Sequence, residues 1–188
     1  MNPLKSTGAA IAVAVLLAAI LSAALGHGFA ELGLAVWIHI VAGVMWLGLL
    51  YYFNVVPAPA VAQPAAGGTS PGVVAMRWFR WAAVLTWFTG AWYLGRAGNF
   101  MSALTLGHLG REYYGLVIGI GAWLGTFMLF NVWVFIWPNQ KKILGLVSVD
   151  AAERARAIRI TALVSRINFI LSLPLLLCMG GANHALPF

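Results

Sequence analysis

The sequence predicts an all-α integral membrane protein, a bundle of about five transmembrane helices with a cytoplasmic N-terminus and a periplasmic C-terminus. Three observations predict it. The 188 residues are 62% apolar and 8% charged, against roughly 45–50% and about 25% in a soluble domain, so water would not hold the surface. The apolar residues fall in blocks close to the ~20 needed to cross a hydrocarbon core roughly 30 Å thick. The lysines and arginines lie mostly in the connections between blocks, which sets orientation.

The first block carries no charge from Ser6 to Ala30 and predicts a span over about 9–26. It exceeds the 7–15 residues of a signal-peptide core, so it is expected to be retained as a helix. The second span covers about 32–56. It ends at Pro57–Gly72, "PAPAVAQPAAGGTSPG", whose proline and glycine content reads as a connection. The third covers about 78–94, with Arg77 and Arg80 at its start, where long side chains reach the headgroups. The less hydrophobic stretch Gly95–Glu112 is expected to include a short helix along the interface. Spans four and five cover about 113–137, stopped by Pro138, and 160–180, with Pro174 as a kink. Between them lies a hydrophilic loop, Asn139–Arg159. No internal repeat is visible, and a single membrane domain over 1–188 is the economical reading.

With the N-terminus inside, nine basic residues face the cytoplasm: Lys5, Arg77, Arg80, Lys141, Lys142, Arg154, Arg156, Arg159 and Arg166. Only Arg96 and Arg111 face outward, the asymmetry expected of a multi-pass protein of a bacterial inner membrane. The net charge of +7 is therefore a matter of orientation. No basic stripe with interleaved aromatics is present, so no nucleic-acid partner is expected, and the first partner is the lipid bilayer. Cys178 is the one cysteine; it excludes an intrachain disulfide and any cysteine-ligated iron–sulfur cluster.

This topology places all four histidines, His27, His39, His108 and His184, in the outer half. Three fall near the interface, where a histidine is also an ordinary interfacial polar group. His39 lies seven residues inside its span, roughly 10 Å deep, where an ionisable group faces the bundle interior and is a functional candidate. Ala35, Val36, Ala42, Gly43 and Trp46 share its helix face. On the fourth span Gly115, Gly119, Gly121 and Gly125 form two G-x-x-x-G spacings, and Gly119 reaches about the depth of His39. Two readings stand for each feature. The glycines either pack helices or leave a slot for a flat macrocycle. His39 either hydrogen-bonds a neighbouring helix or ligates iron. A haem site would take His39 as axial ligand, His108 or His184 as a second, Gly43 and Gly119 as apolar walls, and Arg96 or Arg111 for the propionates. A copper or zinc site lacks the short histidine spacings such sites use. Asn131, Asn139 and Asn168 are expected to join helices. Four carboxylates, none inside a span, provide no proton relay through the core.

Two stretches, "WIHIVAGVMWLG" (Trp37–Gly48) and "NVWVFIWPNQKK" (Asn131–Lys142), resemble the N-terminal membrane domain of bacterial membrane-bound, cytochrome c-linked urate oxidases. Their order and spacing are similar too. "RWFRWAAVLTWFTG" (Arg77–Gly90) and "LPLLLCMGGANHALPF" (Leu173–Phe188) extend the likeness over most of the chain after the first helix. His39 and His184 match the family's pattern. The His39 helix is also similar, over a shorter stretch, to small membrane haem proteins that act as protoporphyrinogen oxidases. Both resemblances imply a redox setting with b-type haem held by a membrane histidine. The family carries a cytochrome c domain on the outer side, whereas this sequence ends at Phe188, so a separate periplasmic cytochrome c or a larger membrane complex is the expected electron partner. The family's further histidines, near Gly119 and Ile167 here, are absent, so urate oxidation is not expected. A non-catalytic subunit of a respiratory or photosynthetic complex, packed through glycine and tryptophan faces, is the alternative; transport is the weaker third reading, without visible inverted repeats or broken helices.

Overall fold

The computed structural model describes residues 6–25, 30–55, 71–110 and 112–184, without the side chains at 112, 183 and 184. Its elements are α1 (Thr7–Ala24), α2 (Glu31–Val55), α3 (Pro71–Arg96), the short α4 (Phe100–Leu104), α5 (Glu112–Phe130), a π-helical stretch (Asn131–Ile136), α6 (Trp137–Ile143) and α7 (Ala151–His184). The described residues contain no strand. Among the described residues four segments are long and apolar enough to cross a membrane: Thr7–Ala24, Glu31–Val55, Tyr113–Ile143 and Ala151–Ala182.

Four long helices close a ring, because α2 packs on α3, α3 on α5, α5 on α7 and α7 back on α2. The core at its centre is built from Trp46, Leu50, Phe79, Ala83, Met128, Val132, Ile136 and Leu175. The adjacent Ala82 and Ala83 of α3 sit among these large side chains, which lets the helices approach while the gaps stay filled. Polar side chains tie the ring where no water would satisfy them. Asn131 donates to Asn168 at 2.8 Å and Asn168 to the Met128 carbonyl at 3.1 Å, Ser172 bonds Tyr51, and Asn54 donates to Ser165. The expected role of Asn131 and Asn168 as interhelical bonds is what the geometry gives; Asn139 instead bonds Phe135 of its own turn. α1 is different: none of its residues is buried.

The helix boundaries differ from the sequence expectation in three places, each with a physical reason. Pro138 does not stop the fourth long helix, which runs on to Ile143. Proline lacks an N–H and crowds the carbonyl four residues earlier. The wider π register over Asn131–Ile136 absorbs that clash one turn ahead of Pro138, the second residue of α6. The hydrophilic loop shrinks to Leu144–Asp150, because α7 starts at Ala151 rather than Ile160. Asp150 accepts from the Glu153 amide at 2.7 Å, and Glu153 pairs with Lys142, so a charged first turn is capped as a helix start requires. α3 begins at Pro71, two turns before Trp78, with proline at its favoured first position. Between Gly95 and Glu112 the regular element is α4 alone, five residues followed by turns.

Candidate functional site

His39 lies on the face of α2 that packs against α3, together with the buried Ala35, Ala42 and Trp46. It is half-buried. The facing position on α3 is Gly90, and a Cβ built there would lie 2.9 Å from His39 Cε1 and 3.0 Å from Nδ1. Real Cβ atoms do not approach that closely, so the ring lies on α3 only because position 90 has no side chain. One turn earlier on α3, the Thr86 carbonyl sits 2.7 Å from His39 Nδ1. A carbonyl only accepts, so Nδ1 carries the proton and donates. In the neutral ring that assigns the lone pair to Nε2.

Thr86 is held to this task by its own contacts. Its hydroxyl turns back to the Ala82 carbonyl at 2.7 Å, and the Thr89 hydroxyl reaches the Thr86 carbonyl at 3.2 Å. The Thr86 methyl would lie 3.7 Å from a Cβ on Gly43, so Gly43 stands beside the site and faces the residue that orients His39. Further along the same face of α2, the indole Nε1 of Trp46 is buried without an acceptor.

The other described residues singled out by sequence make their contacts elsewhere. Gly119 faces α4: a Cβ there would run into the Ala103 carbonyl and come within 3.1 Å of Leu106. Gly115 similarly abuts Ser102 and Gly107, while Gly121 and Gly125 face Cys178, Met179 and Leu175 of α7. The two G-x-x-x-G pairs thus serve two different helix contacts, and backbone already fills the space beside Gly119. His108 bends onto its own turn, its Nδ1 2.8 Å from the Thr105 carbonyl, and is exposed. Arg96 binds Glu31 through two bonds of 2.8 and 3.0 Å, and Trp92 adds a third to the same carboxylate at 3.1 Å. This cluster joins the start of α2 to the end of α3, six residues beyond Gly90, roughly 9 Å along the helix. Arg111, His27 and the side chain of His184 lie outside the described residues. Among the described residues no three of the types His, Cys, Asp and Glu converge on one point.

Sequence reasoning found His39 and Gly43 but not Thr86 or Gly90. Both missed residues lie about fifty positions away, and only the packing of α2 on α3 brings them together. A glycine among the bulky residues of "LTWFTGAWYL" was the signal, since glycine in a helix interior asks for a packing reason.

Residues 110–188 match the family described as urate oxidase N-terminal. This bears out the resemblance seen in the residues. The match covers α5 to α7, including "NVWVFIWPNQKK" and the C-terminal "GGANHALPF"; His39 precedes it. No curated protein and no solved structure matches the chain.

Proposed function

We propose that this chain is a membrane redox protein that holds b-type haem near the periplasmic face, with Nε2 of His39 as an axial ligand. The bond from His39 Nδ1–H to the Thr86 carbonyl at 2.7 Å is the interhelical bond that the sequence offers as the alternative to ligation, but it engages Nδ1 alone, and the reading rests on Nε2, which that bond leaves with its lone pair. Ligating histidines are characteristically fixed in this way: the second nitrogen donates to a carbonyl or carboxylate, which selects the tautomer, orients the ring and raises the basicity of the ligating atom. Gly90 supports it, because the missing side chain makes room on α3 for the Nδ1–Cε1 edge of the ring. Bound there, haem would supply one-electron chemistry, and its potential would depend on the axial ligands and the low dielectric of the bundle. The chain's own part is to present Nε2, restrain the ring, and offer cationic donors at the outer end, Arg96 and Arg111. The second ligand is assigned to the histidines of the outer side, His184 or His108.

Five crossings belong to the same proposal, with α3 as the one added to the four apolar segments, residues 1–188 as a single membrane domain, and the cytoplasm beside α6. Support comes from charge. Lys141, Lys142, Arg154 and Arg80 gather where α6 meets α3 and α7, while the Glu31–Arg96 pair lies at the opposite end of α2 and α3. A bacterial inner membrane, with a periplasmic cytochrome c or a larger membrane complex as electron partner, belongs to the same proposal and is supported by the resemblance to the urate oxidase family. The second reading, an accessory subunit of a respiratory or photosynthetic complex, is favoured by α1, which buries none of its residues within the chain.

Pyridine haemochrome analysis of the purified full chain tests the proposal. A b-type spectrum near one haem per chain is expected. Colourless protein that co-purifies with larger subunits would select the accessory reading instead.

A further inference from the structure

At the end of the ring away from His39, α3 and α6 meet around Trp137. The guanidinium of Arg80 stacks on that indole, 3.7 Å from the ring centroid, and lies 5.8 Å from the ring of Trp133. The ammonium of Lys141 is 5.9 Å from the same Trp137 centroid, so the two cations lie within about 10 Å of each other. Arg77 stands three residues before Arg80 on α3, on the same side of the helix.

Among the described residues no carboxylate answers these charges. The chain has four. Glu31 is paired with Arg96 at the other end, Glu153 with Lys142, and Asp150 caps α7. Glu112 starts α5, more than about 30 Å of helix from Trp137. Two donors of the cluster, Arg80 Nε and Trp133 Nε1, are buried with no acceptor. A guanidinium held flat by an aromatic ring, with an ammonium close by, is suited to phosphate oxygens, which offer several acceptors and negative charge.

We propose that Arg80, Lys141, Trp137 and Trp133 form a phosphate-binding site whose occupant is the headgroup of an anionic phospholipid. Basic sites between membrane helices take such headgroups, and aromatic rings at that level favour the boundary between acyl chains and water. The site is independent of haem binding. Soluble phosphate has the same chemistry and is distinguished by experiment.

The test is native mass spectrometry of the full chain incubated separately with phosphatidylglycerol, phosphatidylcholine and inorganic phosphate. Phosphatidylglycerol should be retained over phosphatidylcholine. Arg80→Gln and Lys141→Gln should each lower its affinity about fivefold, the scale of one basic residue against an anionic headgroup. Arg156→Gln removes an exposed charge of α7 and should leave the affinity unchanged. Retention of inorganic phosphate with the same residue dependence would support the site and assign it to a soluble ligand. Equal uptake of the two lipids, or an Arg156→Gln effect as large as the other two, would overturn it. If Arg80→Gln fails to fold, Lys141→Gln decides alone.

Discussion

At the scale of single residues, the account turns on how a glycine and a carbonyl of α3 restrain His39. A methyl at position 90 would sit 2.9 Å from the imidazole, so Gly90→Ala must tilt the ring away and stretch the bond to Thr86. We expect Gly90→Ala to lower haem occupancy or shift the Soret band while circular dichroism retains the helical spectrum. An unchanged spectrum would show that the Gly90 contact does not position the ligand. His39 was legible in the sequence because an ionisable side chain amid apolar residues stands out. Thr86 contributes a main-chain oxygen, which no side-chain pattern reveals, and Gly90 acquires meaning only from the helix that faces it.

At the scale of elements, helix contacts rest on a few polar and small residues whose partners are named by geometry. Asn131 and Asn168 bond between the π-helical stretch and α7 at 2.8 Å with both residues buried. A double-mutant cycle with alanine at both positions should give a coupling of about 0.6 kcal/mol and at most about 1.7, the range of interhelical hydrogen bonds in membranes. Gly119→Ala forces a methyl against the Ala103 carbonyl, a backbone atom that yields only if α4 moves; we expect a loss of roughly 1–3 kcal/mol, as for overpacking elsewhere. Gly33→Ala, with open space around it, is the control and should be neutral or stabilising. The element list was largely legible, since block length and charge separate the long helices. The extension through Pro138 was not, because proline reads as a stop unless the preceding turn has already widened. The start of α7 was overlooked although Asp150 and Glu153 have the spacing of a helix cap.

At the scale of the whole molecule, α2, α3, α5 and α7 form the closed unit and α1 stands outside its core. Cleavage at a protease site inserted between α1 and α2 should therefore leave the unfolding midpoint of the bundle within a few degrees of the uncut chain. A large drop would mean that α1 contributes packing to the ring. The proposed orientation rests on charge asymmetry, a property of the sequence alone. The pairing of helices was not readable, since apolar helices in lipid advertise their partners through small residues and single polar groups instead of a hydrophobic stripe. In α3 the apolar run between Trp81 and Gly95 is flanked by Arg77, Arg80 and Arg96, which shortens its hydrophobic signature although two long helices pack against it.

The most direct test of His39 as a haem ligand is the absorption spectrum of His39→Ala beside that of the unaltered chain, each with and without added imidazole. The account predicts a Soret band in the unaltered chain, its loss or strong displacement in the variant, and partial restoration when imidazole fills the vacated position. Identical haem spectra in both proteins, or none in either, would contradict it.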